Sequence, residues 1–255
     1  MQLFDTHAHL DLPEFEKDLN DVLQRCRENG VEYIVNVGID RESSLRSIEL
    51  SQKHSWIFAS VGMHPHDAAK LDEETFGLFK KLAQNERVVA VGETGLDYYR
   101  NFSPREQQQE AFRMHIALAK ELGLPIIIHD RDAHRDVLKI VREEGARDVG
   151  GIMHCFPGDW KMAKECFDLN FLIGIGGTVT FKKSVTLQEV VKRVPIDMIV
   201  LETDCPYLSP EPLRGKRNEP ANVIYTAKFA AKLRGNDVEE FSYHTTLNAK
   251  RLFKI

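Results

Sequence analysis

The chain has 255 residues, and 34 Lys and Arg against 39 Asp and Glu leave a formal net charge of −5. That balance excludes a global positive field as the route to nucleic acid, so any such contact must be local. No apolar run approaches the roughly 18 residues of a membrane helix, and the first strand begins too early to leave room for a secretory leader. Four scattered cysteines without a CxxC pair suit a reducing cytoplasm.

Short β-branched runs alternate with amphipathic segments along the chain. Leu3 and Phe4 start the first predicted strand. Residues 15–28 follow as a helix, with Leu19, Val22, Leu23 and Cys26 at helical spacing and Gly30 as the stop. Residues 33–37, 57–61 and 88–91 predict strands two to four. Pro104 opens a helix at a first-turn position. Its apolar side carries Phe112, Ile116 and Ala119, and Gly123 ends it. Residues 126–128, 151–153, 171–174 and 198–201 complete eight strands, and 222–233 and 238–252 close the chain as helices.

Runs this continuously apolar suit strands buried on both faces, as in a parallel sheet. Eight βα units in about 250 residues fit a (β/α)8 TIM-type barrel. A doubly wound open sheet is the alternative, but no Gly-x-Gly-x-x-Gly follows the first strand. No linker rich in Pro, Gly or Ser interrupts the pattern, so 1–255 is expected to be a single domain.

In a barrel the chemistry sits at the C-terminal ends of the strands. Here those ends carry ionisable residues. His7 and His9 lie on one side of an extended first strand, because residues i and i+2 share a face. His64 and His66 follow strand three, Glu93 strand four, His129 strand five, His154 strand six, and Glu202 and Asp204 strand eight. Each has an ordinary reading alone: a core or surface histidine, a carboxylate near a helix start, an N-cap. Together, six of the ten histidines gather at one predicted mouth, while His54, His115, His134 and His244 do not. Neutral imidazole is the commonest protein metal ligand. The set is too large for one tetrahedral structural zinc and suits two divalent ions per chain, bridged by Glu93. Mixed nitrogen and oxygen donors favour Zn²⁺, Mn²⁺ or Fe²⁺ over Mg²⁺, with Zn, Mn and Mg all kept open. Cys155 and Cys205, as strand neighbours of ligands, are expected to point the other way and pack.

The stretches Phe4-Asp5-Thr6-His7-Ala8-His9-Leu10, Val61-Gly62-Met63-His64-Pro65-His66 and Gly92-Glu93-Thr94-Gly95-Leu96-Asp97-Tyr98-Tyr99 run in one order with four more. Those are His129-Asp130-Arg131-Asp132-Ala133, His154-Cys155-Phe156-Pro157-Gly158, Glu202-Thr203-Asp204-Cys205-Pro206-Tyr207-Leu208 and Arg214-Gly215-Lys216-Arg217-Asn218-Glu219-Pro220. On these motifs the chain resembles the TatD family of metal-dependent deoxyribonucleases, within the amidohydrolase-like barrels. The resemblance implies a TIM-type barrel, divalent-metal dependence and exonucleolytic hydrolysis of phosphodiester bonds in DNA, at single-stranded or frayed ends. It implies His7, His9, Glu93 and Asp204 around one ion, and Glu93, His129 and His154 around the other. Thr94 and Asp130 stand where family members often differ, and neither replaces a candidate ligand.

Two ions about 4 Å apart can clamp the attacking and leaving oxygens of a phosphoryl transfer. Asp204 is the candidate general base as well as a ligand. His64 is the candidate for contacting the scissile phosphate or protonating the leaving group. The expected substrate side of the mouth comprises Arg214, Lys216 and Arg217, whose charges suit phosphate. Glu202 is expected there too, orienting a ligand histidine. Tyr98, Tyr99, Phe156 and Tyr207 are candidates for base stacking, with core packing as the ordinary alternative. Two other functions compete: an amidohydrolase or esterase acting on a small-molecule or aminoacyl ester, and a nucleic-acid-binding protein with structural metals.

Overall fold

The structure is a computed structural model and describes residues 1–255. Its strands are β1 Leu3–Ala8, β2 Val31–Val37, β3 Ile57–Val61, β4 Val88–Asp97, β5 Ile126–Arg131, β6 Gly151–Met153, β7 Phe171–Ile175 and β8 Ile199–Leu201. Every neighbouring pair is parallel and the order is the sequence order. A parallel bridge between Ala8 and Cys205 closes the ring just past β8. Two backbone hydrogen bonds reinforce the seam: His9 N donates to the Cys205 carbonyl and Asp204 N to the His7 carbonyl, both at 2.9 Å. The architecture is a (β/α)8 barrel, as the alternating pattern predicts.

Nine α-helices surround it: α1 Leu19–Glu28, α2 Arg41–Lys53, α3 Glu73–Leu82, α4 Arg105–Leu122, α5 His134–Glu143, α6 Trp160–Asp168, α7 Val185–Arg193, α8 Val223–Arg234 and α9 Val238–Phe253. Several begin on an Asp whose side chain accepts an otherwise orphaned backbone N–H, as Asp40, Asp72 and Asp159 do. The helix expected over 15–28 is divided. Phe15 is buried in a short 3₁₀ turn, and Asp18, with φ −141°, breaks the run before α1.

One cluster of apolar residues packs helices against the outer face of the sheet. A second, including Phe4, Val35, Phe58, Val89, Ile127, Ile152 and Val200, draws on seven strands and on Ala249 and Phe253 of α9. We read it as the filled interior of the barrel. The barrel is therefore solid below its mouth, and its candidate metal ligands collect at the strand ends.

β4 continues six residues beyond the apolar run that marks it, reaching Asp97. This extension pairs Thr94 to Asp97 with Ile128 to Arg131 of β5. The two strands run so close that a Cβ at Gly95, which holds φ +136°, would sit 2.1 Å from the His129 carbonyl oxygen. Only glycine fits there.

Candidate metal centre

β1 presents His7 and His9 with their Nε2 atoms 3.1 Å apart. The other ring nitrogen of His9 lies 3.0 Å from the Val37 carbonyl oxygen. A carbonyl only accepts, so Nδ1 carries the proton and Nε2 turns a lone pair to the mouth. β4 places Glu93 against this pair, with Oε2 3.3 Å from His7 Nε2 and 3.9 Å from His9 Nε2. Beyond β8, Asp204 Oδ1 stands 3.4 Å from His9 Nε2 and 3.8 Å from His7 Nε2. Asp204 reaches this position with φ +56°, a conformation Asp tolerates better than most residues.

The other oxygen of Glu93 serves a different group. Oε1 lies 3.0 Å from His129 Nδ1, 3.8 Å from His64 Nε2 and 4.0 Å from His154 Nε2. One carboxylate thus divides between two sets of imidazoles. His154 stands where the sets meet: its ring stacks on His7 at 3.5 Å and its Nε2 is 3.7 Å from Asp204 Oδ1. Burial alone would neutralise Glu93, but His7 and His64, with hydrogen bonds from His129 and His7, hold it well below the usual carboxylate range. Burial also works against charge on His129, yet the Asp97 and Glu93 carboxylates raise it to about 9. His154 rises to about 10 against burial, drawn up by Glu202, Asp204 and Glu93.

This donor set fits divalent cations. Lone pairs 3.1 Å apart, as on His7 and His9, need a proton or a cation between them. Two groups of ligand atoms each lie within 4.8 Å of one another: His7, His9 and Asp204, and His64, Glu93 and His129. His7, His154 and Glu202 form a third such group. Imidazole and carboxylate together suit Zn²⁺, Mn²⁺ or Fe²⁺.

A family model described as TatD related DNase matches residues 4–254. The chain belongs to the TatD-related DNase family. It is 51% identical to the Bacillus subtilis protein named uncharacterized metal-dependent hydrolase YabD, over 99% of both chains. It is 35% identical to the protein of Erwinia tasmaniensis named 3'-5' ssDNA/RNA exonuclease TatD, over 99% of this chain and 100% of that one. The solved structure of the TatD homolog YJJV of Escherichia coli K12 superimposes with a TM-score of 0.94 at 28% identity, covering 99% of this chain and 98% of its own. This chain is accordingly a metal-dependent hydrolase with candidate metal ligands at the barrel mouth. No helix in it is long and apolar enough to cross a membrane.

In this TatD-family barrel a cavity of about 590 Å³ opens above the centre, within the range of small-ligand sites. His9, His64, Glu93, His129, His154 and Asp204 line it, and His7 lies buried beneath. Three expectations about its rim need correction. Arg217 points elsewhere: its guanidinium donates to both carboxylate oxygens of Asp18, at 2.8 and 2.6 Å, and to the Glu14 carbonyl. Arg214 lies over the Phe181 ring at 4.3 Å, and neither it nor Lys216 lines the cavity. Arginines at positions 100 and 131 line it instead.

Glu202 is not on the substrate side. It is wholly buried behind His154, its Oε1 3.2 Å from His154 Nδ1 and accepting from Cys155 N. Gly174 of β7 makes room for it, since a Cβ there would meet Glu202 Oε2 at 2.3 Å. Cys205 packs in the core as expected, but Cys155 lines the cavity. β6 ends at Met153, and Cys155 sits in a turn with φ +43°, so strand alternation no longer decides where it points. Among the aromatics, Phe156 is core and Tyr98 is tied to Asp136 through its hydroxyl, leaving Tyr99 and Tyr207 exposed.

Asp97 is the residue the sequence reading missed. Its Oδ2 lies 2.9 Å from His66 Nε2 and 3.1 Å from His129 Nε2. Burial opposes its charge, but the hydrogen bonds from His129, Arg100 N and His66 hold it well below the ordinary range. Its signal was available: Asp97 follows Glu93 by four residues, and extended residues at even spacing share a face.

Proposed function

We propose that the chain is a two-metal phosphodiesterase, one catalytic domain over 1–255, that hydrolyses DNA exonucleolytically from single-stranded or frayed ends. The observation that carries this reading is the division of Glu93, whose Oε2 serves His7 and His9 while its Oε1 serves His129 and His64. That is the arrangement of a carboxylate bridging two ions. His7, His9 and Asp204 would hold one, and His129, with His64 or His154, the other. Divalent ions held there would polarise a phosphoryl oxygen and make a water acidic near neutral pH.

The chain's own groups supply the rest. Asp204 is charged and borders the cavity, so it can accept the proton of the attacking water. Asp97 and Glu202 fix the rings of His129 and His154 from behind. Burial and the neighbouring His129 keep His64 neutral, which suits a ligand better than a proton donor. DNA as substrate is supported by the family description and by the exonuclease name of the Erwinia relative. Four free cysteines accord with a cytoplasmic place of action.

The test is cleavage of end-labelled single-stranded DNA, duplex DNA and RNA with Mg²⁺, Mn²⁺, Zn²⁺ or chelator. A metal-dependent ladder from one end is expected. Turnover of carboxyl esters or amides alone would overturn the reading, as would binding without cleavage. Asp204→Asn should lower kcat at saturating metal by a hundredfold or more, on the order expected of a general base.

A further inference from the structure

The loop after β4 carries the most exposed large apolar side chain in the molecule. Phe102 is 68% exposed, and Tyr99, three residues earlier, is 58% exposed. On a slack loop such exposure would mean little, but this loop is pinned at both ends. Asp97 Oδ1 accepts from Arg100 N at 2.7 Å and the Asp97 carbonyl from Asn101 N at 3.2 Å. On the far side, Ser103 Oγ donates to the His66 carbonyl at 2.8 Å and accepts from Ala69 N at 3.0 Å. Gln108 Nε2 holds the Ser103 carbonyl at 2.8 Å. Asn101 turns the chain with φ +51°. Phe102 is thus held in water by a built loop, forgoing the gain of burial.

The place where it is held matters. The Phe102 ring meets His66 edge-on at 4.8 Å, and His66 lines the cavity. Arg100 and Arg131 line the same cavity and flank the Tyr99 ring at 5.5 and 4.2 Å. Contact with the ring orients each guanidinium. Neither makes an ion pair, whereas Arg25, Arg113 and Arg217 are each paired to carboxylates. Unanswered positive charge interleaved with exposed rings is the chemistry that recognises an unpaired nucleotide: guanidinium for phosphate, ring for base.

We infer that Tyr99, Arg100, Phe102 and Arg131 form a subsite that seats one unpaired nucleotide beside the scissile bond. The inference rests on the phosphodiesterase reading and names the residues that would set its preference for unpaired strands. Bases in a duplex are stacked on their neighbours and present no free face, so this subsite selects single strands and frayed ends.

The experiment uses the full-length, metal-loaded protein and two single strands of equal length, one of oligo-dT and one abasic. Wild type is expected to show a KM about tenfold lower for oligo-dT, in keeping with the worth of one stacked base. Phe102→Ala and Phe102→Leu should shrink that ratio to about twofold or less, with Tyr99→Ala acting the same way. Arg100→Ala and Arg131→Ala should raise KM for both strands and flatten the slope of log KM against log salt by about 0.7 each. Circular dichroism and melting checks that each variant is folded. Equal KM values for the two strands in wild type would overturn the subsite while leaving the phosphodiesterase reading intact. So would an unchanged ratio in folded Phe102 and Tyr99 variants. Failure to cleave either strand with any metal would overturn that reading and the subsite with it.

Discussion

Asp97 Oδ2 lies 3.1 Å from His129 Nε2, the ring nitrogen on the opposite side from the one that faces Glu93. This contact fixes the orientation of the imidazole and keeps a proton on Nε2. The Nδ1 proton faces Glu93 and is the one that a cation bound at the centre would displace. Partners of this kind tune metal affinity nearly as strongly as the ligands themselves.

Asp97→Asn should therefore weaken metal binding by about 10–100-fold with no ligand removed. Competition against a chromophoric chelator measures it. Wild-type affinity in the variant would mean that Asp97 serves only the loop it anchors.

Gly174→Ala tests the support of His154. The added methyl would collide with the buried Glu202 carboxylate, which has no free space to retreat into. Metal affinity should fall by about tenfold or more, and Tm should fall with it. Gly77, where a Cβ would meet nothing, offers the control: Gly77→Ala should leave affinity unchanged.

Stripping the metal should lower stability in a dose-dependent way. Cations that bind only the folded chain stabilise it by about 2.7 kcal/mol at a hundred times Kd. In a domain of this size that corresponds to roughly 5–10 °C in Tm. Melting curves across a titration of Zn²⁺ or Mn²⁺ into chelated protein would show it, and a Tm indifferent to metal would contradict the fit of the donor set.

His115 sets an acid limit away from the centre. It is fully buried, with one ring nitrogen on the Ala111 carbonyl and the other accepting from Met63 N. Burial lowers its pKa from 6.5 to about 4, against the pull of the Ala111 carbonyl. The unfolded chain therefore binds a proton near pH 6.5 that the folded chain refuses until about pH 4. Between those values the unfolded state holds more protons, so stability falls as pH falls. The contribution is complete above pH 6.5, and about 3 kcal/mol is lost by pH 4. Urea denaturation of metal-free protein should show a shallower slope between pH 6.5 and 4 in His115→Gln than in wild type.

Arg217→Ala separates the two groups of arginines. Its guanidinium is already matched by Asp18, so its loss should cost at most about 1 kcal/mol of stability and leave KM for DNA within about twofold. A large rise in KM would return Arg217 to the substrate side.

Much of the fold was legible because barrel strands are apolar on both faces and announce themselves as short runs. His7, His9, Glu93, His129, His154 and Asp204 were legible because strand ends converge wherever the ring closes. What escaped has common causes. β4 beyond Val91 reads Gly-Glu-Thr-Gly-Leu-Asp, with no strand pattern of its own, and pairing with β5 alone extends it to Asp97. Cys155 obeyed a local turn rather than strand alternation. Arg217 looked like a free charge because its partner lies 199 residues away in the chain.

The seam of the barrel has a consequence for timing. β1 leaves the ribosome well before Asp204 and the segment that bridges Ala8. The hydrogen bond from Thr203 N to Asp5 spans 198 residues and cannot form until both ends exist. Contacts of such separation come late in folding. A nascent or truncated chain therefore carries the two histidines without the carboxylate opposite them. The two sides of the candidate metal centre meet only when the ring shuts.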